Sequence, residues 1–135
     1  MSQPGLIQLV QFIEQTPAEV WRALTEPELM AKWWAKGDAQ PVLGHRFTLD
    51  MGPWGLQPCE VIALEPGRLI AYTFAPGTLD TTITWRLEPE GSGTRLSLEH
   101  KGFDLDSPLG KAAFHGMGSG WPGILQRISP AIAPG

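Results

Sequence analysis

Three histidines, one tyrosine, one cysteine and a few carboxylates are the side chains through which this 135-residue chain could do chemistry. His100 alternates with Leu96 and Leu98, so it points to the apolar side of a strand. There it acts either as a hydrogen-bonded core residue or as a group that moves a proton or touches a ligand. Glu60 shares a face with Ile62 and Leu64 if its strand is regular. Buried there, its pKa rises and it becomes an acid or base; solvated or paired with arginine, it is inert. Tyr72 alternates with Ile70 and Phe74 and offers one hydroxyl within an apolar wall, which suits orienting a greasy ligand by a single polar contact. His115 stands beside Phe114 in the C-terminal segment and reaches the same space only if a break turns it inward. His45 follows Gly44 in a loop and is solvated.

Other chemistries lack their residues. No HExxH or comparable spacing exists, so neither a metal nor a cofactor is expected. No nucleophile elbow, phosphate loop or dinucleotide fingerprint appears. Ser97 alternates outward, and Ser119 lies in a glycine run with no base beside it. Cys59, the only cysteine, is a small core residue and forms no disulfide.

The aromatic residues say more. Six tryptophans must share a core, a cavity wall or an interface. Trp33 and Trp34 are adjacent on a helix, about 100° apart, so they cannot face the same way: either both are packing residues, or one packs in the core while the other borders a cavity mouth. Trp85 lies on an inward strand face and Trp121 on a helix face, so the two should meet. Met117, Trp121 and Leu125 recur every four residues as one stripe. Trp54 sits in a glycine-flanked turn that could fold over an entrance as a flap. The expectation is one apolar space lined by Trp34, Trp54 and Tyr72, by Phe74, Trp85 and His100, and by Met117, Trp121 and Leu125.

The elements that position these residues follow from periodicity and punctuation. Residues 6–13 read as a strand. Thr16-Pro17-Ala18-Glu19 is a capping box, followed by a helical face of Val20, Trp21, Ala23 and Leu24. A second short helix carries Leu29, Met30, Trp33 and Trp34. Residues 37–44 are loop. Strands are expected over residues 46–51, 58–64, 69–75, 81–87 and 94–101, joined by turns rich in Gly and Pro, which makes an antiparallel meander. Ser107-Pro108 opens a C-terminal helix with a broad apolar face. Gly116, Gly118, Gly120, Pro122 and Gly123 interrupt it. Each glycine costs about 1 kcal/mol relative to Ala and an interior proline about 3. A kink or break is therefore expected between Gly116 and Pro122, with Ser119 capping a new start.

Composition bounds the rest. The length indicates one domain over residues 1–135. Net charge is −4 with no basic run, so nucleic acid is not an expected partner. No apolar run approaches the ~20 residues of a membrane span. The N-terminal residues lack the pattern of a signal peptide, so a cytoplasmic location is expected.

Taken together, TPAEVWRALTEPELMAKWW, EPGRL, GTRLSLEHKGF and GWPGIL resemble the helix-grip superfamily of START domains, birch-pollen-allergen-like proteins and polyketide cyclases. The chain looks most like homologues of the heat-shock-protein ATPase activator. Histidine placement departs from the family, which often carries one just before the Gly-Trp of its last helix; here His115 stands further upstream. The resemblance implies an α+β fold: an antiparallel sheet of about six strands curved around a long C-terminal helix, with two short helices after the first strand and an apolar cavity between helix and sheet. Three readings follow. The first is a binder of an apolar or aromatic small molecule. The second is a cyclase, dehydratase or lyase using His100 or Glu60. The third is a protein-interaction module with a protein partner, like the co-chaperone domain.

Overall fold

The computed structural model describes residues 5–133. Seven antiparallel strands form one curved sheet in the order β1-β7-β6-β5-β4-β3-β2. They are β1 (Gly5–Ile13), β2 (Lys36–Gly37), β3 (Arg46–Asp50), β4 (Leu56–Glu65), β5 (Leu69–Phe74), β6 (Thr81–Glu90) and β7 (Gly93–Phe103). The seventh strand beyond the expected six is the two-residue β2, which pairs with the end of β3 at the start of the segment that reads as loop. Helices α1 (Pro17–Thr25) and α2 (Pro27–Trp33) follow β1, and α3 (Pro108–Leu125) and α4 (Ile128–Ile132) close the chain. This is the helix-grip plan that the order of the motifs implied. No helix among the described residues is long and apolar enough to cross a membrane.

Local chemistry explains the boundaries. Thr16 Oγ1 accepts from the Glu19 backbone N–H at 3.3 Å, while the Thr16 N–H donates to Glu19 Oε1 at 3.2 Å. The capping box thus satisfies two donors that the first turn of α1 would otherwise leave bare. Ser107 Oγ accepts from the Gly110 N–H at 3.2 Å, and Pro108 occupies the first turn of α3, where its missing N–H costs nothing.

Two expectations fail, each for a physical reason. Glu60 does not share a face with Leu64, because β4 carries a register irregularity between Val61 and Ala63. One extra residue reverses the parity of every side chain beyond it. Cys59 and Val61 face the core, Ile62 is exposed, and Glu60 turns outward to meet Arg46 Nε at 3.2 Å. The break expected between Gly116 and Pro122 is absent as well: α3 is helical from Pro108 to Leu125, with Pro122 inside it. Packing overrides propensity here. Trp121 and Leu125 are buried against the sheet, and the Ser119 hydroxyl bonds back to the His115 carbonyl at 3.0 Å instead of capping a new start. The chain breaks only after Leu125, before α4.

A row of directly opposed residues, Val61, Tyr72, Ile83, His100 and Ile7, crosses the concave face from β4 to β1. All five are buried. Trp33 and Trp85 join them, and α4 closes the end by packing on α1 and α2. Helix α3 rests on β1 and β7, to one side of the sheet's midline. Its other flank faces the concave surface near β3–β5, and this offset makes room for a site.

Candidate functional site

A cavity of about 550 Å³ lies on that free flank of α3. One wall is a stripe of the helix: Leu109, then Ala112 and Ala113, Gly116 and Met117, Gly120 and Trp121, and Ile124. These recur at three- and four-residue spacing, which is one helix face. Four of the eight are Ala or Gly. A Cβ built on Gly116 or Gly120 would meet nothing within 4 Å, so neither glycine is demanded by a close neighbour. A Cβ on Gly110, by contrast, would collide with the Asp104 backbone. The glycines that read as helix breakers therefore remove side chains from the cavity wall and widen it.

The facing wall comes from three places. The β3–β4 hairpin supplies Met51, Trp54 and Gln57; its tip turns through Gly52 and Gly55, both at positive φ. The end of β5 and the following loop supply Phe74, Thr78 and Leu79, and α2 is followed directly by Trp34. No Asp, Glu, Lys, Arg or His lines the space among the described residues. The polar side chains there are engaged with backbone: Gln57 Nε2 donates to the Trp54 carbonyl at 2.7 Å and the Thr78 hydroxyl to the Ala75 carbonyl at 3.0 Å.

Beneath the cavity is a stack of aromatic rings. Trp34 contacts Trp33, Trp85 and Trp121 with centroids 5.7, 6.4 and 5.1 Å apart. Trp85 meets Trp121 edge-to-face at 5.6 Å, as their strand and helix faces indicated. The indole N–H groups are mostly satisfied. Trp33 Nε1 donates to the Ala23 carbonyl at 2.8 Å, Trp85 Nε1 to Tyr72 Oη at 2.8 Å, and Trp121 Nε1 to His100 Nδ1 at 3.1 Å. Trp34 Nε1 is buried and has no acceptor among the described residues.

His100 is wholly buried, and its protonation state follows from its partners. An indole N–H only donates, so Nδ1 must accept and carries no proton. Nε2 then holds the hydrogen and faces Thr81 Oγ1 at 2.9 Å, and the Thr81 hydroxyl donates on to the Phe74 carbonyl at 3.2 Å. The relay ties α3 to β7, β6 and β5 through one neutral imidazole. Burial lowers the His100 pKa to about 3. Burial also raises Tyr72 well above its ordinary value, with the bond from Trp85 opposing the shift, and it pushes the Cys59 thiol up to about 12.

The nine residues expected to line one space therefore divide. Trp34, Trp54, Phe74, Met117 and Trp121 reach the cavity surface. Tyr72, Trp85, His100 and Leu125 lie in the core behind it, and the two polar groups expected to orient a ligand, Tyr72 and His100, are spent on other side chains. Trp54 is 76% exposed, a rim residue at a hairpin tip. Of the paired tryptophans, Trp33 is the packed one and Trp34 borders the cavity. His115 is exposed on α3, and His45 hydrogen-bonds the Asp38 carbonyl at 2.9 Å. Among the described residues no group of three metal-ligating side chains forms. The missed lining residues were Met51, Gln57, Thr78 and Leu79 on the facing wall, and on α3 Leu109, Ala112, Ala113, Gly116, Gly120 and Ile124. Extending the Met117–Trp121 stripe by three- and four-residue steps would have found those on α3.

Comparison with known proteins agrees with this fold. Residues 14–133 match the family model described as Activator of Hsp90 ATPase homolog 1-like protein. Protein MLL2253 from Mesorhizobium loti is 32% identical, with a TM-score of 0.81 over 93% of this chain and 95% of that one. Protein BH1534 from Bacillus halodurans is 23% identical, with a TM-score of 0.81 over 98% and 99%. The Aha1 dimer from Colwellia psychrerythraea shares the fold at 19% identity, with a TM-score of 0.80 over 94% and 95%. No curated protein matches the chain at a significant level.

Proposed function

We propose that this chain, which belongs to the family of Activator of Hsp90 ATPase homolog 1-like proteins, binds a hydrophobic or aromatic small molecule in the cavity beside α3. The observation that carries the reading is the helix stripe: Ala112, Ala113, Gly116 and Gly120 leave a space of about 550 Å³, within the range of small-molecule sites, walled by Trp, Phe, Met and Leu. Binding energy would come from buried apolar area, at about 25 cal/mol per Å² less the ordering costs. Proton-transfer chemistry is the weaker reading. It needs titratable groups converging on the space, and the lining offers none among the described residues.

The test is a titration with an uncharged apolar dye such as Nile red, on the parent protein and on Gly116→Leu and Gly120→Leu, which place side chains into the space. Saturable binding that the filling variants weaken at least tenfold, with thermal unfolding intact, is the expected result. No binding, or equal binding by all three, would remove the cavity as the site. A protein-docking role would then stand in its place, favoured by the exposed apolar side chains of Trp54, Leu56 and Leu109. Native mass spectrometry of gently purified protein separates the two, since one expects a co-purifying small molecule and the other a polypeptide.

A further inference from the structure

Trp34 is the exception among the buried indoles. Trp33, Trp85 and Trp121 each donate to a protein acceptor, whereas Trp34 Nε1 is sealed from solvent without one among the described residues. A buried donor left unpaired is costly, and such groups usually mark a place where something else completes the bond. Trp34 is also the one of these four that both borders the cavity and lacks a partner.

We propose that the ligand is a neutral, flat, largely apolar molecule bearing a hydrogen-bond acceptor, of the aryl ketone or lactone class, and that Trp34 Nε1–H is its polar anchor. The inference rests on the cavity being the binding site, as proposed above. The chemistry narrows the class in three steps. An indole N–H only donates, so the anchored group is an acceptor. The lining holds no charged side chain among the described residues, and a carboxylate or phosphate would lose its hydration without an opposite charge to replace it, so the acceptor is neutral. Trp34 and Trp121 lie 5.1 Å apart at the cavity wall beside Phe74, and ring faces favour a planar partner. Trp34 lines the cavity while its Nε1 is sealed, so engagement includes a swing of the indole about its broad χ2 that brings the N–H to the ligand. Gln57 and Thr78 are lesser anchors, since each already spends a donor on backbone.

The experiment uses two matched pairs of probes, fluorene with fluorenone and xanthene with xanthone, whose members differ chiefly in a carbonyl. Affinities are measured by displacement of Nile red from the parent protein and from Trp34→Phe, which keeps an aromatic ring and removes the N–H. The ketone-to-hydrocarbon affinity ratio should be roughly fivefold larger in the parent than in the variant, the worth of one neutral hydrogen bond. In ¹⁵N–¹H spectra of the parent, the Trp34 indole signal should move downfield with the ketones and not with the hydrocarbons. Equal ratios in the two proteins, or an unmoved Trp34 signal with fluorenone bound, would overturn the anchor and leave the cavity reading standing. Failure of all four probes and of Nile red to bind would overturn both. If Trp34→Phe does not fold, the indole signal of the parent decides alone.

Discussion

Acidification should drain stability from this protein through a single imidazole. His100 is neutral in the fold because Trp121 donates to its Nδ1, and its pKa lies at about 3 against an ordinary 6.5. The unfolded chain therefore holds a proton on His100 that the folded chain refuses. A group whose folded pKa is depressed contributes stability that is complete above its unfolded pKa and is lost as pH falls toward its folded one. The window is pH 6.5 down to about 3, with a slope of about 1.4 kcal/mol per pH unit in its middle. Integrated, this amounts to on the order of 4–5 kcal/mol, comparable with the whole stability of a marginal domain. Among the described residues no acidic side chain offsets it: the rings packed on His100 are Phe74, Phe103 and Trp121. The assay is urea unfolding from pH 7 to pH 4 on the parent and on His100→Gln. The glutamine is uncharged at every pH, so the difference in unfolding free energy between the two proteins isolates the imidazole. That difference should favour the parent by about 1–3 kcal/mol at pH 7, the cost of disturbing a buried relay, and shrink or reverse by pH 4. A difference that stays constant across the range would refute the assignment of a buried neutral His100.

Further outcomes follow from the same packing. Gly116→Ala and Gly120→Ala should each stabilise the protein by about 0.8–1 kcal/mol, because the added methyl meets nothing and the helix gains propensity, while Nile red affinity falls; destabilisation in urea titrations would show that the glycines serve packing instead. Cys59 should react with Ellman's reagent only on global unfolding at pH 8, since the thiol is buried and pushed up to about 12; fast labelling of the folded protein would contradict this. Glu60→Gln should change stability by less than about 0.5 kcal/mol in thermal melts, because its pairing with Arg46 is solvent-exposed; a loss above about 2 kcal/mol would mean that the carboxylate is buried.

The sheet was legible because its strands obey two-residue alternation: Phe47 and Leu49, Ile83 and Trp85, and Leu96, Leu98 and His100 all face inward as their spacing indicates. The capping box at Thr16 and the proline at the head of α3 were legible for a similar reason, since each is a local bond with a local signature. What escaped was non-local. The irregularity at Ile62 depends on how β4 meets β5, and nothing in the residues before it announces the change of face. The continuity of α3 depends on the buried area that Trp121 and Leu125 share with the sheet, which outweighs summed propensities only once the sheet exists. The inward direction of His100 could be read from the sequence, but its commitment to Trp121 and Thr81 could not, because those partners stand 21 and 19 residues away. Met117 and Trp121 were legible on α3, but the part its glycines play in the cavity was hidden behind a misreading of them: the same lack of side chain that weakens a helix also hollows its flank.

The four packed indoles also have an optical consequence. Trp33, Trp34, Trp85 and Trp121 form one chain of contacts with neighbouring centroids 5.1–6.4 Å apart, close enough for their excited states to couple and for excitation to hop among them before emission. They behave as one antenna, with an exciton signature in the circular dichroism spectrum that unfolding abolishes. Trp54, out on its hairpin tip, emits apart from them. A quencher bound against Trp34 alone would therefore darken light absorbed by all four rings, so the protein carries its own amplified optical report on whatever occupies the space beside α3.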